Sequence, residues 1–149
     1  MKVDINLRDD NKANALFHAI ENETKVELFE ICQALINNGS DINLETVQGF
    51  TPLWKAVDQQ QTNVVNLLCE REACVNVAHK NDGDTPLHLA VRKKNEHIIK
   101  ILMEKFAKTD KKNKKNLTPY DFAKDDADLY EFMRKLDLKQ KVIFEKILK

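Results

Sequence analysis

An all-α solenoid is the fold class this sequence predicts: stacked helix-turn-helix units with a C-terminal capping helix. Three observations predict it. A turn running into a helix recurs as Thr51-Pro52-Leu53-Trp54-Lys55-Ala56, Thr85-Pro86-Leu87-His88-Leu89-Ala90 and Thr118-Pro119-Tyr120-Asp121-Phe122-Ala123, with a weaker copy at Asn14-Ala15-Leu16-Phe17-His18-Ala19. These copies begin at 14, 51, 85 and 118, spacings of 37, 34 and 33 residues, and a near-constant period of this size marks a stack in which each unit buries its apolar face only against its neighbours. Behind the third copy, Ile98, Ile99, Ile101 and Leu102 show the i, i+3, i+4 spacing of an amphipathic second helix.

The signal has a local physical reading. In the third copy Gly83 frees the backbone for a tight bend, Thr85 caps the first helical amides, and Pro86 suits the first helical position, where its missing N–H costs nothing. Leu87 and Ala90, three apart, then share one helical face.

Taken in order, Val3-Asp4-Ile5-Asn6-Leu7-Arg8 is echoed by Asp41-Ile42-Asn43-Leu44-Glu45. The chain therefore reads as starting within a unit, either with a retained N-terminal edge or as a piece of a longer array. Repeat one covers about 9–45, with an inner helix from about Lys12 to Ile20 and an outer helix from about Thr24, where Thr24-Lys25-Val26-Glu27 matches a capping box. It should stop at Asn38-Gly39 with Gly39 left-handed, and its three extra residues fall in Glu21-Asn22-Glu23 or in the outer helix. Repeat two, about 46–79, has helices near Thr51 to Gln60 and Thr62 to Arg71, then Ala73-Cys74-Val75-Asn76. Repeat three, about 80–112, has them near Thr85 to Lys94 and Glu96 to Lys105. Repeat four, about 113–136, runs from Leu117-Thr118-Pro119-Tyr120 through Leu129, Phe132, Met133 and Leu136. A separate helix over about 138–148 follows, with a stripe at Leu138, Val142, Ile143 and Ile147. It reads as a cap on the last repeat, the alternative being an amphipathic helix for a partner or a membrane.

These residues resemble the ankyrin-repeat family, whose T-P-L-H-x-A signature stands intact at Thr85 to Ala90 and is recognisable in the other three copies. The resemblance covers almost the whole chain and implies an ankyrin-repeat solenoid with short β-hairpin fingers between its units. It implies that His88, the signature histidine, hydrogen-bonds the backbone of a neighbouring hairpin. The family usually has glycine between its two helices and after the outer one, whereas Gln60-Gln61, Lys94-Asn95, Glu72 and Phe106 stand near those points here. A non-glycine residue kept in that left-handed turn costs roughly 1 to 2 kcal/mol, less for an asparagine such as Asn95.

Composition excludes more than it assigns. The 149 residues make one domain, 1–149, and carry 24 Lys plus Arg against 24 Asp plus Glu, a balance with no general attraction to nucleic acid or an anionic membrane. No apolar run approaches the roughly 20 residues a bilayer span needs, and Met1-Lys2-Val3-Asp4-Ile5-Asn6 does not read as a secretory signal. Cys32, Cys69 and Cys74 form neither a C-x-x-C pair nor an even set, which fits a reducing, cytoplasmic compartment. Cys69, inside Val64-Val65-Asn66-Leu67-Leu68-Cys69, reads as a packed small hydrophobe.

Nor does any linear motif carry chemistry. Gly39, Gly49 and Gly83 are too dispersed to cradle a phosphate, His18, His79, His88 and His97 lack zinc spacing, and Ser40, the one serine, sits in no nucleophile motif. A non-enzyme without metal or cofactor is therefore expected. The lysines of Lys108-Thr109-Asp110-Lys111-Lys112-Asn113-Lys114-Lys115 read as a solvated loop, then as a contact for an acidic protein surface, and only third as a nucleic-acid site.

The resemblance implies binding of another protein through finger tips and the concave face of the inner helices, by a monomer. Finger positions carried over are Asp10, Asn11 and Ala13; Val47, Gln48 and Phe50; Asn81, Asp82 and Asp84; and Lys114, Lys115 and Leu117. Groove positions are Glu21 and Asn22, Asp58 and Gln59, Arg92 and Lys93, and Asp125 and Asp126, running acidic, acidic, basic, acidic. Phe50 leads, because a finger-tip aromatic has little structural need to be there and aromatics are enriched among interface hot spots. Trp54, in place of the signature histidine, is expected to fill space between hairpins with its indole edge reachable from the groove. A small adaptor, inhibitor or host-directed effector fits. A targeting domain of a longer enzyme or effector and a self-associating structural array are the alternatives.

Overall fold

The computed structural model describes residues 4–22 and 27–149, and in these it forms eight helices and no strand. The helices are α1 (Ala15–Glu21), α2 (Leu28–Asn37), α3 (Pro52–Asp58), α4 (Thr62–Glu70), α5 (Pro86–Arg92), α6 (Glu96–Glu104), α7 (Pro119–Ala123) and α8 (Ala127–Ile147). Four of them start where capping chemistry dictates. Asn14, Thr51, Thr85 and Thr118 sit in extended backbone, and their side chains accept the amides of Phe17, Trp54, His88 and Asp121.

Odd-numbered helices pack on one another in sequence, α1 on α3 on α5 on α7, and the even-numbered ones form a second row, α2 on α4 on α6 on α8. Between the rows runs one apolar core. Leu16, Leu53 and Leu87, at equivalent positions of successive units, are at most 1% exposed, and Ile99, Leu102 and Met133 close the core from the outer row. Each such side chain contributes roughly 1.5–3 kcal/mol before entropy, so no single unit suffices and the stack is the stable object. Cys32 and Cys69 are buried in the same core, and burial pushes both thiols up to about 11.

The left-handed turns survive without glycine. Gln60 and Lys94 between paired helices have φ of 55° and 54°, and Glu72 and Phe106 after the outer helices have 63° and 62°, alongside Gly39 at 89°. Asn95 does not take this conformation. It caps α6 by accepting the Ile98 amide and leaves the strained position to Lys94.

The expected hairpin fingers are tight turns without a β-ladder among the described residues. Each is closed by a pair of backbone bonds at 2.8–3.0 Å: the amides of Asp9, Thr46, His79 and Asn113 donate to the carbonyls of Ala13, Phe50, Asp84 and Leu117, and their own carbonyls accept from Lys12, Gly49, Gly83 and Asn116. The Val47 amide donates to the Asn11 carbonyl and the Lys114 amide to that of Asp82, joining fingers one to two and three to four. Among the described residues no backbone bond of this kind joins the second finger to the third. There the Phe50 ring stacks on His79, with centroids 4.6 Å apart.

Asparagines stitch the opposite edge. Asn6, Asn43 and Asn76 each accept a backbone amide of the next unit, from Asp41, Cys74 and Lys108 at 2.7–2.8 Å. Asn6 and Asn76 also donate to the carbonyls of Gly39 and Phe106.

One expectation falls partly outside the described residues, and another needs correction. The outer helix of the first unit is described only from Leu28, with Glu27 at its N-cap making no side-chain bond; Thr24, on which the capping box depended, lies outside the described residues. The expected place of the three extra residues, Glu21-Asn22-Glu23 or the outer helix, likewise falls in part outside the described residues. The separate helix over 138–148 is the second half of α8, which runs unbroken from Ala127 to Ile147. Neither glycine nor proline interrupts Lys135-Leu136-Asp137-Leu138-Lys139-Gln140, and Asp137 accepts the Tyr120 hydroxyl instead of capping a new helix.

Candidate functional site

The fingers hold their tips by local side-chain bonds. Asp9 accepts the amides of Asn11 and Ala13 in the first, and Asn113 those of Lys115 and Leu117 in the fourth. These bonds leave Asp10, Asn11, Val47, Gln48, Asn81, Lys114 and Lys115 exposed. Lys114 nevertheless reaches the Lys80 carbonyl at 2.5 Å, and Lys111 that of Asn76 at 2.7 Å, so part of the lysine run secures the fourth finger to the third unit.

Asp84 departs from the expected binding surface. It is 2% exposed and is held by the Asn113 side-chain amide at 2.7 Å and by the Arg92 guanidinium. A carboxylate out of water needs such partners, so its position serves the joint between the third and fourth units. Arg92 in turn lies over the Phe122 ring, 5.3 Å from its centroid. Asp82 closes its own turn by accepting the Asp84 amide at 3.0 Å and lies 2.9 Å from His79 Nδ1. Half-buried Leu117 offers its carbonyl to His88 Nε2 at 3.0 Å. His88 is fully buried and accepts the Thr85 amide at Nδ1, so its Nε2 carries the proton that ties one finger to the next. Burial above all pushes this imidazole below its ordinary value near 6.5, against the opposing pull of the Leu117 carbonyl.

Along the groove the expected run of free charges is instead a set of pairs between units. Glu21 meets Lys55 at 3.3 Å, Asp58 meets Lys93 at 3.1 Å, and Asp126 meets Lys94 at 2.7 Å. Solvent screens exposed pairs of this kind, so they add little to stability, yet they neutralise the pattern read from the sequence. Gln59 likewise donates to the Glu21 carbonyl, and Asp126 also caps α8, its carboxyl held below the usual range by Lys94 and then by the Leu129 amide. Asp125 remains exposed.

Phe50 has more structural work than a finger-tip aromatic was expected to have. Half-buried, it packs against Ala13, Phe17 and Leu44, stacks on His79, and lies 4.8 Å from Trp54 between ring centroids. Trp54 does fill space between fingers, also meeting His79 at 5.2 Å, but its indole Nε1 is buried and, like His79 Nε2, has no hydrogen-bond partner among the described residues.

Beside this cluster opens a hollow of about 160 Å³, lined by Asn11, Ala13, Phe17, His18, Glu21, Thr46, Gln48, Phe50 and Lys55. Its floor is aromatic and its rim charged: His18 Nε2 lies 2.9 Å from Asp9, and Lys55 bridges to Glu21. Phe17, His18 and Lys55 were not among the residues expected there. Phe17 occupies the register of Trp54 and His88, and two aromatics at that position were the signal in the sequence. Among the described residues no group of three or more His, Cys, Asp or Glu could hold a metal ion, and no helix is long and apolar enough to cross a membrane.

Comparison with known proteins places this geometry in a family. BRCA1-associated RING domain protein 1 of Caenorhabditis elegans is 30% identical over 111 residues, 74% of this chain and 16% of that protein. An ankyrin repeat protein of Rickettsia bellii is 29% identical over 114 residues, covering 72% and 32% of the two chains, and one of Fowlpox virus is 34% identical over 98, covering 64% and 29%. The chain thus spans no more than about a third of the length of these relatives. A family model for three copies of the ankyrin repeat, a module that generally binds proteins, matches residues 1–79 and again 24–116, and the chain belongs to the ankyrin-repeat family.

Proposed function

We propose that this chain is a non-catalytic module that binds another protein through its finger tips and inner-helix face, with the hollow between the first two fingers as the anchor point. One observation carries the reading: Gln48 and Asn11 present exposed amides at the mouth of a hollow floored by Phe17 and Phe50. An apolar floor with a few polar groups at the rim suits a single apolar side chain of a partner, oriented by hydrogen bonds to its backbone. Val47, 53% exposed on the same finger, extends the contact, and Lys115 and Asp125 lie further along the same face. Neither nucleic acid nor a membrane belongs to this reading. A reducing cytoplasmic compartment does, supported by free thiols at Cys32, Cys69 and Cys74. The adaptor, inhibitor and host-directed effector roles share this grip. So does a targeting domain within a longer protein, which the greater length of the relatives favours over a self-associating array.

The test is site-specific photo-crosslinking in cells. A benzophenone amino acid at Gln48 is expected to capture one partner that the same probe at Lys100, exposed on the outer helix α6, does not capture. Gln48→Ala and Val47→Ala should then weaken the purified complex together by about tenfold, at unchanged melting temperature. Equal capture from both sites, or affinity indifferent to both substitutions, would remove the hollow as the anchor.

A further inference from the structure

The second half of α8 exposes more apolar surface than a helix end facing water requires. Leu138, Val142, Phe144, Ile147 and Leu148 are between 49% and 74% exposed, and Phe106, in the loop after α6, stands at 67%. Phe106 also holds φ of 62°, at the position that Gly39 takes in the first unit with 89°. A bulky side chain in that conformation carries strain that glycine would remove. Next to it the Gln140 side-chain amide donates to the Met103 carbonyl, and Gln140 and Phe106 both line two hollows. One hollow, of about 270 Å³, is lined by Glu104, Phe106, Leu136, Lys139, Gln140 and Ile143. The other, of about 250 Å³, is lined by Phe106, Gln140, Lys141, Phe144 and Glu145. Residues 138–149 carry Lys139, Lys141, Lys146 and Lys149 against Glu145 alone. None of these lysines has an ion-pair partner among the described residues.

We propose that this face of α8, with the loop after α6, docks an amphipathic helix of a partner protein, one whose apolar stripe is flanked by aspartate or glutamate. Two hollows that share Phe106 and Gln140 accept side chains from neighbouring turns of one helix face, the general mode in which a helix is held in a groove. Glu104 offsets Lys139 at one hollow and Glu145 offsets Lys141 at the other, and Lys146 and Lys149 beyond them leave the surface with a positive excess that an acid-flanked helix matches better than a lysine-flanked one. Charge also disfavours a second copy of this chain, which would set these lysines against their own kind. A bilayer would use the lysines but leave the hollows unused. The surface lies apart from the finger hollow, so the chain has two independent grips.

Fluorescence anisotropy on the full chain tests this with a labelled helical peptide of about 18 residues, carrying leucines at i, i+3, i+4 and i+7 flanked by glutamates, and with its lysine-flanked twin. The glutamate peptide is expected to bind at least about tenfold more tightly than the twin, and less tightly as salt rises. Ile143→Glu combined with Ile147→Glu should abolish binding while circular dichroism stays unchanged, and Gln48→Ala should leave it intact. Phe106→Gly should weaken binding about fivefold or more while raising the melting temperature, a pairing of signs that a purely structural Phe106 would not give. Four results would overturn the proposal: no saturable binding of the glutamate peptide below about 1 mM, equal affinity for the twin, preference for phosphatidylserine vesicles over the peptide, or dimers in sedimentation that Ile147→Glu disperses.

Discussion

At the scale of single residues, the fold rests on positions where a side chain answers a backbone demand, and two of these demands are measurable. Glu72 is exposed and left-handed at φ 63°, making no side-chain bond among those described. Glu72→Gly should therefore raise stability by about 0.5–1 kcal/mol, the relief of strain less the extra freedom glycine gives the unfolded chain. Urea unfolding measures it, and a loss of stability would mean that the turn gains something from the side chain. His88 supplies the second. Its folded pKa lies below the unfolded value near 6.5, so the unfolded chain takes up the proton first as pH falls. Its contribution is complete above about 6.5 and is lost as pH drops from there toward the depressed folded value. The unfolding free energy of the wild type should fall more steeply between pH 7.5 and 5.5 than that of His88→Asn, and parallel slopes would refute the assignment. Residues whose role is local were legible in the sequence: Thr85, Pro86 and Gly39 do what their chemistry predicts. Asp84 and Phe50 were not, because what buries them, Asn113 and His79, comes from the neighbouring unit about 29 residues further along.

Among elements, the same division holds. The helices announced by Thr51 and Thr85 were placed within two residues, whereas α1, expected from about Lys12, begins three residues later behind its cap Asn14. The join inside α8 was misread because a change of partner, from the core to open solvent, leaves no mark on the backbone pattern. The asparagine edge illustrates the converse, a repeat visible in the sequence whose purpose emerged only from the bonds. Asn6, Asn43 and Asn76 recur because each satisfies a backbone amide of the next unit that no helix or strand can reach. Asn43→Ala should cost about 0.5–1.5 kcal/mol, the net value of one hydrogen bond whose orphaned donor, on exposed Cys74, still finds water. Asn76→Ala should cost more, because Asn76 also donates to the Phe106 carbonyl. Thermal melts of the two variants compare them directly, and equal or negligible losses would reduce the edge to a by-product of repetition.

For the molecule as a whole, a stack held by nearest neighbours makes the effect of a core substitution depend on where along the row it falls. Leu16 and Leu87 are the same residue type, at equivalent positions, and both are fully buried. Each truncated to alanine should cost about 2–5 kcal/mol locally. The consequences should differ. Leu16 lies in α1, whose inner-row neighbour is α3, whereas Leu87 lies in α5, packed between α3 and α7. In a near one-dimensional chain of units, weakening an end frees that end, while weakening the middle cuts the coupling between both halves. Hydrogen exchange read by mass spectrometry should accordingly show Leu16→Ala accelerating amides of α1 and α2 while α5 and α6 stay protected. Leu87→Ala should accelerate exchange from α3 through α8. Uniform acceleration in both variants would mean that the molecule opens as a single cooperative unit, and that its repeats share one core too tightly for any end to loosen alone.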